Sequence, residues 1–460
     1  MFYLCRICLV ATLGGLLFGY DTAVISGTVD FVQAHFALSE LELGWVVSSA
    51  ILGCMLGAAV SGVLCDRLGR KWAFIVAAAC FLISAVGTAI PTTTTELVLH
   101  RLLGGIGVGI ASITSPMYIA EIAPERLRGR LVSLNQIAIL TGMVLVYIVN
   151  AGIAGHGTHE WNVAYGWRWM FGSGALPALV FLLLVFTIPE SPRWLVKASQ
   201  EATALKILQS IHDPATAQRI LTEIRDALKR ETGGWKEVFG PVYRPALLVG
   251  LVLAIIQHGT GINAVMYYAP RIFSHAGIAS AAAINHMVII SVVMVLFTFI
   301  GLAFVDKIGR KPLLLVSTTG MALSLFMLYA AYSGRASGNF NERAVLGWIL
   351  AYVATFSIAM GPVVWVMISE LFPNRVRGRC ASIAVFFMWS ASLAISQFFP
   401  YLLKRIDHGV FMIFGFLCVA AIVYMVVFVP ETKGKTLEEI EDLWRHRAKK
   451  RGEAEAAARY

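Results

Sequence analysis

The decapeptide Gly62-Val63-Leu64-Cys65-Asp66-Arg67-Leu68-Gly69-Arg70-Lys71 lies between two long apolar stretches, and its charged half occurs twice in the chain. Asp306-Lys307-Ile308-Gly309-Arg310-Lys311 repeats it 240 residues later, again directly after an apolar stretch. Two more charged loops recur at nearly the same offset. They are Glu121 to Arg130 with Glu370 to Arg379, and Pro189-Glu190-Ser191 with Pro430-Glu431-Thr432. This spacing predicts two halves of one fold, the second a parallel copy of the first.

The composition indicates a membrane protein. The 460 residues are 58% hydrophobic and 14% charged, and the mean hydropathy is +0.74. Soluble domains carry about 25% charged residues. A bilayer core of about 30 Å requires about 20 apolar residues in a helix. Runs of that kind centre near 7–28, 43–63, 72–91, 97–119, 131–152, 167–188, 246–269, 285–305, 312–332, 345–368, 380–402 and 409–429. The sequence therefore predicts an all-α integral membrane protein with twelve transmembrane helices.

The repeat and the polar stretches together predict the domain organisation. Residues 1–188 form an N-terminal six-helix bundle and residues 246–429 a pseudo-symmetric C-terminal one. Residues 189–245 are a polar linker whose helical periodicity predicts short surface helices. Residues 430–460 form a charged tail.

Positively charged residues are distributed unequally between the loops. We assign 30 of the 37 Lys and Arg residues to the termini, the central linker and the loops after even-numbered spans. Six fall on the opposite side, and Arg101 lies inside a span. Because loops rich in Lys and Arg remain in the cytoplasm, both termini are predicted to be cytoplasmic. We expect a multi-pass protein of the cytoplasmic or inner membrane, a monomer in contact with the lipid bilayer, and no nucleic-acid partner.

The sequence contains no motif that favours an enzyme. It has no Walker A sequence, no Ser/His/Asp arrangement and no cluster with metal-ligand spacing. The seven cysteines lie in or beside apolar segments and are interpreted as reduced packing residues. We therefore expect neither catalytic activity nor a cofactor or bound metal.

The repeated loops place acidic and basic side chains at corresponding helix ends in both halves. Pairs of opposite charge that form when one side of a transporter closes, and break when it opens, would bias the two states. The alternative is ordinary positive-inside topology with end capping. The residues predicted to form a cytoplasmic gate are Asp66, Arg67, Arg70, Glu121, Arg128, Glu190, Asp306, Arg310, Glu370 and Arg377.

Taken together, the motifs resemble the sugar porter family of the major facilitator superfamily over essentially the whole chain. The decapeptide is similar to the signature loop of the superfamily. Pro189 to Leu195 and Pro430 to Gly434 are similar to the signatures that end each half of a sugar porter. Gly14 to Asp21, Arg101 to Gly109 and Gly261-Ile262-Asn263 fit the same family, especially bacterial sugar–proton symporters such as those for D-xylose. The resemblance implies the major facilitator fold and transport by alternating access.

Asp21 and Arg101 are the two ionised side chains deep within predicted spans. From the helical rise, Asp21 lies roughly 21 Å from the cytoplasmic face and Arg101 roughly 6 Å from the outer face. In a core of about 30 Å these depths nearly coincide, so the two residues are predicted to pair. The resemblance implies that Asp21 carries the proton, because proton-coupled members have Asp at this position. The alternative is a facilitative uniporter of a sugar or cyclitol with a structural Asp21–Arg101 pair. One departure is Gly174, where a related symporter has glutamate.

A polyhydroxylated ring requires amide groups and aromatic faces in a concave site. The glycines at 259 and 261 suggest a broken seventh helix, and Gly361-Pro362 predicts a kink in the tenth. By resemblance, sugar-contacting positions include Gln136, Gln257, Asn263, Tyr267, Trp365 and Trp389, with Phe18 an aromatic one. The full predicted substrate set adds His258, Gly361 and Met388.

Departures from the family pattern bear on the solute. His258 replaces a common glutamine, Met294 a frequent asparagine and Met388 a frequent glutamine. They argue against simple transfer of the xylose symporter's substrate, so a hexose, deoxy sugar, pentose or cyclitol remains open. A sugar sensor that binds without transport is the alternative of another class. A long signalling tail would favour it, and the tail here has only about thirty residues.

Overall fold

The computed structural model describes residues 2–230, 235–240, 243–275, 280–334, 341–372, 376–435, 439–440 and 442–446. Throughout these ranges the regular structure is helical. The α-helices are α1 (Phe2–Val24), α2 (Val29–Phe36), α3 (Glu40–Leu68), α4 (Arg70–Ala89), α5 (Thr94–Ile122), α6 (Glu125–His156), α7 (His159–Trp161), α8 (Trp167–Gly172), α9 (Ala175–Val185), α10 (Pro192–Lys197), α11 (Glu201–Gln209), α12 (Pro214–Arg230), α13 (Trp235–Val238), α14 (Arg244–Gly259), α15 (Ile262–His275), α16 (Ser280–Ile308), α17 (Arg310–Ser333), α18 (Glu342–Ile358), α19 (Pro362–Leu371), α20 (Arg377–Ile406) and α21 (Gly409–Phe428). A 3-10 turn at Ile25–Gly27 extends α1, and a π-helical segment at Asn162–Gly166 joins α7 to α8.

Twelve helices in the described residues are long and apolar enough to cross a membrane, which confirms the predicted count. They are Tyr3–Gly27, Glu40–Leu68, Arg70–Ala89, Thr94–Ile122, Arg126–His156, His159–Val185, Arg244–Ser274, Ala283–Ile308, Arg310–Ser333, Glu342–Ile368, Gly378–Ile406 and Gly409–Phe428. Each overlaps one of the predicted runs. The all-α integral membrane class is therefore confirmed.

The chain divides into two compact units. The first, which we call the N-terminal unit, comprises Met1–Glu231, Met266–Arg271 and Ser280–Ser291. The C-terminal unit comprises Thr232–Val265, Ile272–Ala279 and Val292–Tyr460. The seventh and eighth spans thus each contribute residues to both units.

Small residues bring α3 and α5 close together in the N-terminal unit. Gly53 and Gly57 lie one turn apart on α3, and Gly105 and Gly109 lie one turn apart on α5. A Cβ atom on Gly53 would lie 2.1 Å from the carbonyl oxygen of Leu102, so this contact accepts only glycine. Packing of this kind drives helix association in lipid. It also brings the N-terminal part of α5, which carries Arg101, against α3.

Two spans of the C-terminal unit are interrupted, as the sequence indicates. Between α14 and α15 the chain turns at Gly261, whose φ is +91°. An L-residue adopts this conformation with strain, and a Cβ atom here would lie 2.7 Å from the ring of Phe414. The tenth span breaks between α18 and α19, where Pro362 begins the second helix. Both breaks free backbone groups from the helical ladder in the interior of the unit.

The central linker contains the short helices α10 to α13. Helices α10, α11 and α12 bury a small apolar cluster of their own, formed by Leu195, Val196, Ala204, Leu208, Ala217 and Leu221.

Candidate functional site

Asp21 and Arg101 line one cavity within the N-terminal unit. Its wall also includes Tyr20, Ser84, Thr88, Phe171 and Gly174. Arg101 is only 3% exposed, whereas Asp21 is partly exposed to the cavity. Glycine at 104 leaves room for the carboxylate, because a Cβ atom there would lie 3.0 Å from Asp21 Oδ1. The structure therefore brings together the two deep ionised residues that the sequence singled out.

The two side chains do not form a direct ion pair. Both are described, yet no guanidinium nitrogen lies within 4.0 Å of the carboxylate. Arg101 Nε instead donates to the carbonyl oxygen of Val46 at 3.0 Å, and its guanidinium lies 5.5 Å from the ring centre of Phe171. An ionised side chain at a helix centre costs about 2.5–3.5 kcal/mol on insertion scales. The backbone carbonyl, the aromatic face and the polar cavity offset part of that cost for Arg101.

A second buried charge cluster in the same unit was not predicted. Arg271 donates through Nη2 to both carboxylate oxygens of Glu40, at 2.9 and 2.7 Å, and through Nη1 to Gln33 Oε1 at 2.6 Å. The side chains of Arg271 and Glu40 are 10% and 11% exposed. Arg271 is one of the six Lys and Arg residues that the charge distribution predicts on the less positive side. The available signal was a basic residue directly after the predicted run 246–269, on the side where basic residues are scarce.

The predicted solute residues of the N-terminal unit fall on three helices. Phe18 on α1 and Gln136 on α6 are partly exposed, and Tyr267 on α15 is 7% exposed. Asn135, next to Gln136, is buried with an unpartnered Oδ1. Asn135 Oδ1 packs against Gly15, and a Cβ atom on residue 15 would lie only 2.4 Å from this oxygen.

In the C-terminal unit the helix breaks organise the predicted polar residues. Gln257 is 2% exposed, and its Nε2 donates to the carbonyl oxygens of Met360 at 3.0 Å and Gly361 at 2.9 Å. These carbonyls belong to the break between α18 and α19. Asn263, in the first turn of α15 just beyond the other break, has its Nδ2 2.9 Å from His258 Nδ1 and 2.6 Å from Ser392 Oγ.

Three further predicted residues, Trp389, Met388 and Trp365, belong to the same unit. The His258 ring stacks on Trp389, with centroids 5.6 Å apart and planes at 25°. Met388 is fully buried, whereas Trp365 is 41% exposed. The thioether at 388 is thus part of the packed interior.

Four predicted gate residues and Ser191 form a network at one end of the N-terminal unit. Arg70 Nη2 donates to Glu121 at 2.8 Å, and Ser191 Oγ donates to the other Glu121 oxygen at 2.5 Å. Glu190 accepts hydrogen bonds from the backbone N–H groups of Arg70 and Lys71. Asp66 lies 3.1 Å from Lys197 Nζ. The last loop of the half is thereby joined to the ends of α3, α4 and α5.

The C-terminal unit contains the corresponding network. Arg310 Nη2 donates to Glu370 at 3.0 Å, and Thr432 Oγ1 donates to the second Glu370 oxygen at 2.5 Å. Glu431 accepts from the backbone N–H groups of Arg310 and Lys311. Asp306 lies 3.0 Å from Arg310 Nη1. Sequence reasoning missed the hydroxyls of Ser191 and Thr432, although both stand in the repeated tripeptide.

The two equivalent loop carboxylates differ in protonation behaviour. Burial raises the pKa of Glu190 above its ordinary value, and the hydrogen bonds from Ser191, Arg70 and Lys71 do not offset this. At Glu431 burial also raises the pKa, but hydrogen bonds from four backbone N–H groups outweigh it, so the net pKa is lowered. The two pKa values differ because Glu431 is less buried than Glu190, and because Glu431 accepts an additional hydrogen bond from the backbone N–H group of Lys433.

The remaining gate residues lie outside these contacts. Arg67 and Arg128 are exposed, and neither forms an ion pair within the described residues. Arg377 begins α20, but its side chain lies outside the described residues.

Comparison with known proteins defines the family. The family described as "Sugar (and other) transporter" matches residues 7–444. The chain is 43% identical to the D-xylose-proton symporter of Escherichia coli (strain K12), with 97% of each chain covered. It is 40% identical to the arabinose-proton symporter of Bacillus subtilis (strain 168), covering 94% of this chain and 93% of that one.

Solved structures give the same fold. The inward-open xylose transporter of E. coli superposes with a TM-score of 0.86 at 42% identity, covering 96% of this chain and all of that one. A second structure, described as a major facilitator superfamily proton:xylose symporter bound to 6-bromo-6-deoxy-D-glucose, gives 0.78. The protein belongs to the sugar transporter family, and is a multi-pass membrane transporter of the major facilitator fold, not an enzyme.

Proposed function

We propose that this protein takes up a monosaccharide together with protons across the cytoplasmic membrane by alternating access. Asp21 acts as the proton carrier, and Arg101 acts as its charge partner through the shared cavity. The observation that carries the proposal is one cavity deep in the spans that holds both groups. An ionised carboxylate at this depth costs several kcal/mol, so a chain that keeps one is expected to use it. Carboxylates within spans mark proton relays.

Alternating access gives this pair a cycle. When the cavity is wet, Asp21 can exchange a proton with the adjoining solution. When the cavity is dry, burial favours the neutral acid, whereas approach of Arg101 favours the carboxylate. A membrane potential supplies about 2.3 kcal/mol per charge per 100 mV, which supports roughly a fifty-fold sugar gradient.

The remaining roles are extensions of the same proposal. Residues 1–188 and 246–429 are the two moving bundles, with 189–245 and 430–460 as cytoplasmic linker and tail. The charged networks around Arg70 and Arg310 act at the cytoplasmic gate, where Ser191 and Thr432 complete them. The substrate site draws on Phe18, Gln136, Gln257, His258, Asn263, Tyr267, Gly361, Trp365, Met388 and Trp389. The protein works as a monomer.

Uptake into proteoliposomes with an imposed pH gradient tests the proposal. Unlabelled D-xylose, L-arabinose, D-glucose and myo-inositol compete with a labelled sugar, with and without an uncoupler. Asp21→Asn should abolish uphill accumulation but leave exchange of labelled for unlabelled sugar, because only proton loading is lost. Asp226→Asn, on an exposed face of the linker helix α12, is the matched control and should retain accumulation.

Each alternative has its own outcome in this assay. Uncoupler-insensitive, downhill uptake in the unmodified protein would establish the uniporter with a structural Asp21–Arg101 pair. Sugar binding without any flux would establish a sensor. Uphill uptake by Asp21→Asn would refute Asp21 as the carrier.

A further inference from the structure

The guanidinium of Arg101 is held by two groups that are not acidic. Its Nε donates to the carbonyl oxygen of Val46 on α3 at 3.0 Å, and its Cζ lies 5.5 Å from the ring centre of Phe171 on α8. Phe171 is 4% exposed and lines the cavity that contains Asp21. A cation over an aromatic face is attracted by the negative potential of the ring, most strongly where water is excluded. The Phe171 ring therefore competes with the Asp21 carboxylate for the same guanidinium.

The Phe171 ring is fixed by the aromatic residue one turn before it. Trp167 is fully buried, and its ring meets that of Phe171 edge to face, with centroids 6.3 Å apart and planes at 86°. Trp167 Nε1 in turn donates to the carbonyl oxygen of Val163 at 3.1 Å, inside the π-helical segment Asn162–Gly166. A π turn contains one residue more than an α turn, so it rotates the residues beyond it by about 100° around the helix axis. This segment thereby sets the register that turns Phe171 toward Arg101.

Among the described residues, Asp21 is the acidic group in the wall of this cavity. The other ionisable side chains that face Asp21 or Arg101 carry no charge near pH 7 at their ordinary pKa values. They are Tyr20 on α1, Cys54 on α3, and Tyr267 and Tyr268 on α15. If the guanidinium left the Phe171 ring, the Asp21 carboxylate would be the opposite charge within its reach. Closer approach of the guanidinium would stabilise the carboxylate relative to its protonated form.

We propose that Phe171 is a positioning residue for proton loading. Its ring holds the Arg101 guanidinium apart from Asp21, so that the carboxylate takes up a proton from the adjoining solution at a lower proton concentration. Phe171 carries no proton itself and acts through Arg101. It sets the pH at which transport operates, and not the affinity for the solute. This inference rests on the proposed function and adds a residue to its proton-coupling site.

Fluorination of the Phe171 ring tests this role at nearly constant shape. Mono-, di- and trifluorinated phenylalanine, inserted at residue 171 by nonsense suppression, progressively weaken the negative potential of the ring face. The Asp21 carboxyl group is titrated in the purified protein by infrared spectroscopy, through the carbonyl band that Asp21→Asn removes. The titration midpoint should fall with each added fluorine, by about 0.5–1 pH unit in total, which corresponds to a three- to ten-fold higher proton concentration.

The same proteins are reconstituted for proton-driven uptake. The pH of half-maximal uptake should fall together with the infrared midpoint, whereas the KM for sugar exchange without a pH gradient should change by less than about two-fold. Phe171→Leu, which removes the ring, should produce the full shift. The matched control is the fluorinated series at Phe74, which is fully buried in the same unit and packs edge to face on Tyr118 and Phe181. No cation lies over the Phe74 ring within the described residues, so its fluorination should move neither midpoint.

The outcomes separate this inference from the proposed function. If uptake ignores the pH gradient while the infrared midpoint still falls along the Phe171 series, the proposed function fails, although Phe171 does position Arg101. If the unmodified protein accumulates sugar with the pH gradient but the midpoint stays constant or rises along the series, the function stands and the positioning role is refuted. Equal shifts in the Phe74 series would also refute that role, because fluorination would then act without a cation over the ring.

Discussion

At the scale of single residues, the loop carboxylates show how equivalent positions of a repeat can diverge. Glu190 and Glu431 each accept backbone N–H groups from the start of a helix, α4 and α17 respectively. A carboxylate at a helix N-terminus is stabilised by the free N–H groups and by the helix dipole. At Glu190 burial outweighs these contacts, and at Glu431 the contacts outweigh burial.

This difference predicts opposite effects of removing the charge. The lowered pKa of Glu431 means that its ionised form stabilises the fold above the ordinary value of 4.5, and that this stabilisation is lost as the pH falls below it. The raised pKa of Glu190 means that its ionised form costs stability as the pH rises past 4.5. At pH 7 Glu431→Gln should therefore lower the unfolding temperature in detergent, whereas Glu190→Gln should leave it unchanged or raise it.

The measurement is thermal unfolding of both variants between pH 4 and pH 8. The deficit of Glu431→Gln should shrink toward the acid end of this range. Equal destabilisation of the two variants at pH 7 would contradict the asymmetry.

At the scale of helices, the break between α14 and α15 positions both Gln257 and Asn263. Their six-residue separation places them on different faces of an ideal helix. The turn at Gly261 removes that constraint, and the break in the tenth span supplies the carbonyl oxygens that orient Gln257. Interrupted helices of this kind occur in transporters where backbone groups line a binding cavity.

Alanine substitutions should distinguish the two glycines of this break. Gly261→Ala requires a positive φ and places Cβ 2.7 Å from the Phe414 ring, so we expect a loss of about 1–3 kcal/mol in unfolding free energy. Gly259→Ala meets no atom within 4 Å and should change stability by less than about 1 kcal/mol. Thermal unfolding and sugar binding measure both. A Gly259→Ala protein as unstable as Gly261→Ala would mean that the backbone conformation at 261 is not the cause.

The cluster of Glu40, Gln33 and Arg271 should contribute strongly to the N-terminal unit. Removing one partner of a buried ion pair leaves the other charge uncompensated and typically costs about 3–5 kcal/mol. Glu40→Ala should therefore lower the unfolding temperature markedly. Glu223→Ala breaks an exposed pair with Arg219 and should cost less than about 1 kcal/mol. Similar losses in the two variants would show that burial does not strengthen the Glu40 pair.

At the scale of the whole molecule, duplication is visible in chemistry as well as in helix count. Arg70, Glu121 and Ser191 form the same hydrogen-bond arrangement as Arg310, Glu370 and Thr432. Even the lysines match, since Lys71 and Lys311 each donate to a backbone carbonyl oxygen near the end of the last span in their half, those of Phe186 and Val426. Each half therefore has its own network of charged side chains, which joins its last loop to its helix ends.

The distribution of Lys and Arg predicts the orientation of the chain. Reporter fusions after Tyr460 and within the loop before Glu342 test it, with a fluorescent protein active in the cytoplasm and alkaline phosphatase active outside. The C-terminal fusion should be fluorescent and phosphatase-negative, and the loop fusion the reverse. The opposite pattern would contradict the positive-inside assignment.

The sequence by itself determined the helices, their number and their duplication. Apolar length specifies a span without reference to the rest of the fold, because each helix satisfies its own backbone in lipid. Charged motifs at a fixed offset identified the halves, and the glycines and Pro362 identified the breaks. The family resemblance selected the candidate residues Asp21, Arg101, Gln257 and Asn263.

Only the tertiary structure decided which atoms these residues engage. Arg101 binds the Val46 carbonyl and shares a cavity with Asp21, where depth along two helices predicted a direct pair. The Arg271–Glu40 contact joins residues 231 positions apart, which no local pattern encodes. Asn263 meets His258 and Ser392, which is 129 positions away along the chain. Hydrogen bonds and ion pairs require atoms within about 3–4 Å, and helix packing, not sequence spacing, sets such distances.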